Sequence, residues 1–258
     1  MAFYDIPKVR RDLLVQEIRE NIRLDLSGTR REQSLAYYDD EDTYIRKSAY
    51  LATGRLYLQD ETLRENILAF LETCSLDPSY KIRHSAMQAA GEIGIKDFEA
   101  IEYLLEKGLF DEHHSVRNAV IGALNKTGEK NPGPALRFAR RFLHHPDKEI
   151  RREICHGIEL RGRTHPQDIL PLLAELQSDP TARVRNTLIH VIGQIAYKKG
   201  CLETVTGALR SWENKELVHK ALEEIIDVHH RYRNFAVRTA EEARAYIEQH
   251  FGRTNAHH

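Results

Sequence analysis

The chain has 258 residues, with 38 Lys+Arg against 39 Asp+Glu and a formal net charge of −1. Charged residues reach 30%, above the roughly 25% of an ordinary soluble domain, which suits an extended fold with much surface. The balance excludes a uniformly basic nucleic-acid coat and an acidic tail protein. No apolar run approaches the roughly 18 residues of a membrane span. The opening segment MAFYDIPKVRRDLL has no signal-peptide core, and Cys74, Cys155 and Cys201 show no CxxC spacing. The expectation is a cytoplasmic protein without a disulfide framework or zinc knuckle.

Residues 1–26 are expected to form an N-terminal cap, with an amphipathic helix over 8–26. From 27 to 232 the chain repeats itself six times. The marker of each copy is an arginine, Arg46, Arg83, Arg117, Arg151 and Arg185, replaced by His219 in the sixth, at spacings of 37, 34, 34, 34 and 34. An acid stands six residues ahead of the marker as Asp40, Asp77, Asp111, Asp179 and Glu213, and Pro78, Pro146 and Pro180 follow in three copies. An acid and a proline ahead of an apolar-periodic stretch announce a helix start. Apolar residues then recur at helical period, as in Ile82, Ala86, Ala89, Ala90 and Ile93, or Val184, Leu188, Val191, Ile192 and Ile195. Gly54, Gly91 and Gly193 sit eight residues after the marker, where small size would let helices approach closely.

Shorter amphipathic stretches over 61–74, 98–110, 134–143, 167–177 and 202–212 lie between the marker helices. Each unit thus reads as helix A, turn, helix B. One pair cannot bury its own apolar face, so neighbours must stack. The cluster over 128–134, GEKNPGP, is the clearest turn signal and reads as an inter-repeat turn, because the 34-residue phase runs through it. Residues 239–251 read as a C-terminal cap helix opened by a capping box from Thr239 to Glu242. Residues 252–258 are expected to fray, and His257 and His258 read equally as native residues or a tag remnant. The fold expected is all-α: a right-handed α-solenoid of about six helix pairs with helical caps, forming one domain over 1–258.

The pattern Asp77…Ile82-Arg83…Ala86…Ala89…Gly91…Ile93, repeated as Asp111…Val116-Arg117…Ala123 and Asp179…Val184-Arg185…Val191…Gly193…Ile195, resembles HEAT repeats of the short-unit type related to phycobilisome-lyase repeats. A more distant similarity is to the HEAT-like DNA alkylation-repair proteins. The resemblance implies that Asp and Arg of successive repeats pair, giving Arg83, Arg117, Arg151 and Arg185 a structural role. It also implies that the B helices line a concave face. Positions −3, −2, +1, +2, +5 and +9 from the marker would then face outward. They carry eight Lys/Arg and five Glu, a net +3. The partner-binding residues expected on this face are Lys47, Lys81, His84, Gln88, Asn118, Lys148, Arg152, His156, Arg183, Asn186, His190 and Lys220.

Four kinds of chemistry were weighed against this surface. A HEAT iron hydroxylase needs His-Glu dipeptides after the marker, and none occurs in the chain. A glycosylase of the alkylation-repair type needs a carboxylate and aromatic surface in a basic cleft. The expected strip holds no Asp and only Tyr44 and Tyr80 as aromatics, with Trp212 expected to be packed away. A bilin lyase rests on the repeat subtype alone. A metal site would use His156 and His190, which occupy equivalent positions in adjacent repeats about 8–10 Å apart. Cys155 beside His156 falls on the apolar face, and the doublets His113–His114, His144–His145 and His229–His230 fall at turns or helix ends. The reading is therefore no metal, no cofactor and no catalytic residues. Arg137, Arg140, Arg141 and Lys130 form a basic cluster that reads as a solvated face of the fourth A helix. The function expected is a non-enzymatic interaction or scaffold protein that holds an extended protein or peptide, an anionic one included, along its concave face. The alternative is a nucleic-acid-binding protein related to the alkylation-repair glycosylases, and no membrane contact is expected.

Overall fold

The computed structural model describes residues 3–28 and 30–252, and among these every regular element is a helix. The end of the chain from 253, with His257 and His258, lies outside the described residues. Contacts divide the chain into two compact units, Met1–Ala135 and Leu136–His258. In the first, α1 (Lys8–Ser27) precedes three pairs: α2 (Glu32–Asp39) with α3 (Thr43–Gln59), α4 (Arg64–Cys74) with α5 (Tyr80–Gly94), and α6 (Glu102–Leu109) with α7 (His114–Lys130). Helix α8 (Pro132–Phe142) crosses the boundary. The second unit continues with α9 (Lys148–Gly157) and α10 (Glu159–Gly162), then α11 (Pro166–Glu175) with α12 (Ala182–Gln194), α13 (Cys201–Leu209) with α14 (Lys215–Arg231), and the cap α15 (Ala240–Phe251). Within each unit the B helices stack in order, α3 on α5 on α7, and α9 on α12 on α14. The fold is an α-solenoid of helix pairs.

The apolar stripes are the core of these stacks. Ala86, Ala89, Ala90 and Ile93 of α5, and Val184, Leu188, Val191 and Ile192 of α12, are fully buried. Burying one such Leu, Ile or Val contributes about 1.5–3 kcal/mol. The +8 glycines set the spacing. A Cβ on Gly91 would lie 2.8 Å from the Ala123 Cβ, one on Gly54 2.3 Å from the Glu92 Cβ, and one on Gly193 2.5 Å from the Glu224 Cγ. The neighbouring helix therefore occupies the place a side chain would need.

The acid and the marker arginine form a clamp. Asp77 Oδ1 accepts from the Ser79 amide, Asp111 Oδ1 from His113 and Asp179 Oδ1 from Thr181, each at 2.8 Å, which fixes the turn into the B helix. The marker guanidinium folds back on the same turn, Arg83 to the Asp77 carbonyl at 2.9 Å and Arg117 to that of Asp111 at 2.7 Å. Its other edge reaches the acid of the next repeat. Arg83 donates to Asp111 at 2.7 and 3.0 Å, and Arg151 to Asp179 at 2.6 and 3.1 Å. The inter-repeat pairing implied by the resemblance is thus present as two bidentate pairs. Arg46 uses its guanidinium on the Asp40 and Glu41 carbonyls instead.

Several local expectations are revised. The cluster over 128–134 is almost entirely helical: α7 runs to Lys130 and α8 opens at Pro132, leaving only Asn131 outside. Pro132 and Pro134 fall in a first helical turn, where no amide hydrogen is needed. The A helix of the first repeat, α2, has no separate counterpart among the expected A stretches. The B helix of the fourth repeat is interrupted at Ile158, between α9 and α10. The C-terminal cap forms as expected, with a complete Thr239–Glu242 capping box.

Candidate functional site

None of the twelve expected partner-binding residues is buried. Lys47, Asn118, Lys148, Arg183, Asn186 and Lys220 are exposed, while Lys81, His84, Gln88, Arg152, His156 and His190 are half-buried. The +2 row departs from the expectation: Ser85, Ala119, Glu153 and Ala221 are turned into the layers between helices and are at most 2% exposed. Trp212 is packed away, at 3% exposure. Cys155 is fully buried, and burial pushes its thiol up, so it belongs to the core and not to a ligand set. Of the histidine doublets, His229 is buried as well, its Nδ1 2.7 Å from the Ile225 carbonyl.

In the first unit the strip is polar, and two of its cations, Lys81 and Lys126, are paired with acids. Lys81 holds Glu41 at 2.7 Å and Asp39 at 3.7 Å. Tyr80 stacks on His113 at 3.8 Å between ring centroids. Burial, reinforced by the nearby Arg46 and His113, pulls the His84 imidazole down to about 4, so it is uncharged at neutral pH. His84 therefore offers a neutral hydrogen-bonding ring to a partner and no positive charge.

In the second unit the strip carries both signs. Arg152 contacts Glu149 at 3.0 Å and Glu153 at 3.5 Å, Arg183 reaches Glu149 at 3.3 Å, and Lys220 holds Glu216 at 2.6 Å. Arg152, His156, Arg183, Asn186, Thr187 and His190 line an open concavity. Five of the eight cations of the expected strip, Lys81, Lys126, Arg152, Arg183 and Lys220, are thus held in ion pairs.

Against two of its lining residues, His156 and His190, packs a buried residue outside the expected rows. The +8 position, glycine in three repeats, is Glu159 in the fourth. Its side chain is 6% exposed. Arg163 grips Oε1 through Nε at 3.0 Å and Nη2 at 2.5 Å, and the same Nη2 donates to buried Gln194 at 3.1 Å. Oε2 faces the imidazoles: His156 Nδ1 is 3.2 Å away and His190 Nε2 4.0 Å. Burial alone would raise the Glu159 carboxyl; the contact with His156 and the charge and hydrogen bonds of Arg163 outweigh it and hold the pKa below the ordinary glutamate value. His190 Nδ1 in turn lies 3.6 Å from Glu224, which Arg231 holds at 2.5 Å. The +5 row of this unit, His156, His190 and Glu224, is therefore tied to a buried carboxylate.

No family model and no curated protein matches the chain. Among solved structures it is similar to YibA of Escherichia coli, at 18% identity over 88% of this chain and 77% of that one, with a TM-score of 0.46. It is similar to a crescerin TOG domain, described as regulating microtubules in the primary cilium, at 16% identity over 75% and 88% with a TM-score of 0.48. A third similar structure is an archaeal HEAT-like repeat protein of Thermococcus onnurineus NA1, at 18% identity over 86% and 98% with a TM-score of 0.39. These similarities are of fold alone.

Proposed function

We propose that the protein is a non-enzymatic binding scaffold whose B-helix faces hold an extended polypeptide of mixed charge. The observation that carries this reading is the ladder of exposed and half-buried polar side chains, with both charges interleaved: Arg152 and Arg183 around Glu149, and Lys220 beside Glu216. Packed helices lie about 8–10 Å apart, close to three residues of extended chain at about 3.3 Å each. One repeat therefore meets about three partner residues. Asn118 and Asn186, exposed at the +1 position, can each donate to and accept from a peptide group. Among the described residues no helix is long and apolar enough to cross a membrane.

The test places a photo-crosslinking residue at Asn118, at Asn186 and, as control, at exposed Lys107 of an A helix. Proteins captured in cell extract are identified by mass spectrometry. The same protein should be captured from both asparagine positions and not from Lys107, and Lys81→Glu/Arg152→Glu/Arg183→Glu should abolish capture. Equal capture from Lys107, or capture unaffected by the triple substitution, overturns the assignment. Labelled duplex DNA is run beside it at two salt concentrations: binding at about 50 mM salt that falls steeply with added salt would replace the peptide reading with a nucleic-acid one.

A further inference from the structure

We propose that His156, Glu159 and His190 form a site for one divalent transition-metal ion of the zinc or iron(II) class. One ligand atom from each residue falls within 4.8 Å of the others. Two imidazole nitrogens and a carboxylate oxygen are the donor set that such ions select, whereas magnesium and calcium favour all-oxygen shells. Three protein ligands leave at least one coordination position open, and two of the three, His156 and His190, line the concavity together with Arg152, Arg183 and Asn186.

The second observation is the state of the carboxylate. Glu159 Oε2 is buried without a hydrogen-bond partner; His156 Nδ1 is near it, at 3.2 Å, but not in hydrogen-bonding alignment. A buried acceptor left unsatisfied costs about 1–3 kcal/mol, and this atom is aimed between the two rings. A simple ion pair accounts for Oε1, which Arg163 takes with two hydrogen bonds. Oε2 has the two imidazoles within ion-pair range and no hydrogen bond from either.

The surroundings have the form of a metal second shell. Ligating histidines characteristically give their other nitrogen to a carboxylate, and ligating carboxylates are themselves hydrogen-bonded. Glu224 lies 3.6 Å from His190 Nδ1, leaving Nε2 toward Glu159. Arg163, braced by Gln194, orients Glu159 from behind. With metal–ligand bonds of about 2.0–2.2 Å, tetrahedral donors sit about 3.4 Å apart. The 3.2 Å separation already fits, and the 4.0 Å one closes by rotation of the His190 ring, whose side chain is 43% exposed. The local backbone differs at the acid: the B helix breaks at Ile158, between His156 and Glu159, where α3, α5, α7, α12 and α14 run through the equivalent position without interruption.

The test uses the full chain as His257→Ala/His258→Ala, so that the terminal histidines add no background. After chelator dialysis it is titrated with Co2+, read by ligand-field absorption, and with Zn2+, read by competition with a chromophoric chelator. One equivalent should bind tightly. His156→Ala/His190→Ala and Glu159→Gln should each lose that equivalent, with far-UV circular dichroism confirming that the helices persist. Glu224→Gln should weaken it by about 10–100-fold. The Trp212 unfolding transition should rise with metal in the reference protein and not in the double variant. Equal affinity in the reference and the His156→Ala/His190→Ala protein overturns the proposal and leaves a histidine–glutamate ion-pair cluster; unchanged affinity in Glu159→Gln overturns the three-ligand assignment.

Discussion

Replacing Asp179 with Asn keeps the shape of the side chain and removes its charge. In the native chain the Asp179 side chain is 4% exposed and that of Arg151 10%. Arg151 donates to both carboxylate oxygens, at 2.6 and 3.1 Å. In the variant one oxygen becomes an amide donor facing a guanidinium, so one charge-assisted hydrogen bond, about 1.5–3 kcal/mol, is lost. Full removal of one partner from a buried pair costs about 3–5 kcal/mol. The carbonyls of His145 and Pro146 still take Nη1 at 2.8 and 2.9 Å, which keeps the loss near about 3 kcal/mol. That is a large share of a typical total of about 5–15 kcal/mol. The assay is urea unfolding followed by Trp212, the sole tryptophan, 3% exposed and in the same compact unit. Far-UV circular dichroism runs in parallel, because stacked repeats can unfold in stages. The pH dependence supplies a second readout. Burial raises the Asp179 carboxyl, but Arg151 and the Thr181 amide overcome it and leave the pKa below 3.8. Such a group adds stability that is complete above the unfolded value and disappears as pH falls through the folded one. The native protein should therefore lose stability below about pH 4, and Asp179→Asn should lack that component. A shift of about 1 kcal/mol or less, the value of an exposed pair, would refute the reasoning that the clamp is a buried, mutually dependent unit.

Gly91→Ala should destabilise even though alanine is the better helix former by about 1 kcal/mol, because the new Cβ would stand 2.8 Å from the Ala123 Cβ and 3.0 Å from its Cα; overpacking of this kind costs about 1–3 kcal/mol, and a raised melting temperature would show that the helices can separate freely. The His84 ring should titrate by NMR near 4 and not near 6.5; since the unfolded chain takes up that proton first, stability should fall as pH drops from about 6.5 toward 4, and a midpoint near 6.5 would contradict its burial. Arg163→Met removes the cation that grips buried Glu159 and should cost about 3 kcal/mol, read by Trp212 fluorescence; an unchanged transition would mean that Glu159 is balanced by His156 alone.

The repeat was legible because its determinants are local and periodic. The marker arginine, the acid six residues earlier and the +8 glycine each solve a problem every unit shares: fixing the turn, clamping the next unit and admitting the neighbouring helix. The break at Ile158 and the short A helix α2 were not legible, because no proline or glycine run marks either, and packing against neighbours decides such cases.

The Glu159 site shows the limit most clearly. His156 and His190 could be paired from their shared +5 position, but outward rows were chosen from the average repeat. The +8 position lies outside those rows, because in three repeats it is a glycine against the neighbouring helix. Its signal was present all the same: the position is glycine in three units and polar in the other three, Asn125, Glu159 and Asp227, of which Glu159 alone is buried. A buried charge is expensive unless it is paired or coordinates a metal. A solenoid that buries one at this position in the fourth repeat, braces it from behind with Arg163 and Gln194, and turns two imidazoles toward its open oxygen departs there from the units that carry glycine. In repeat proteins the departures from the consensus, more than the consensus itself, are where individual function should be sought.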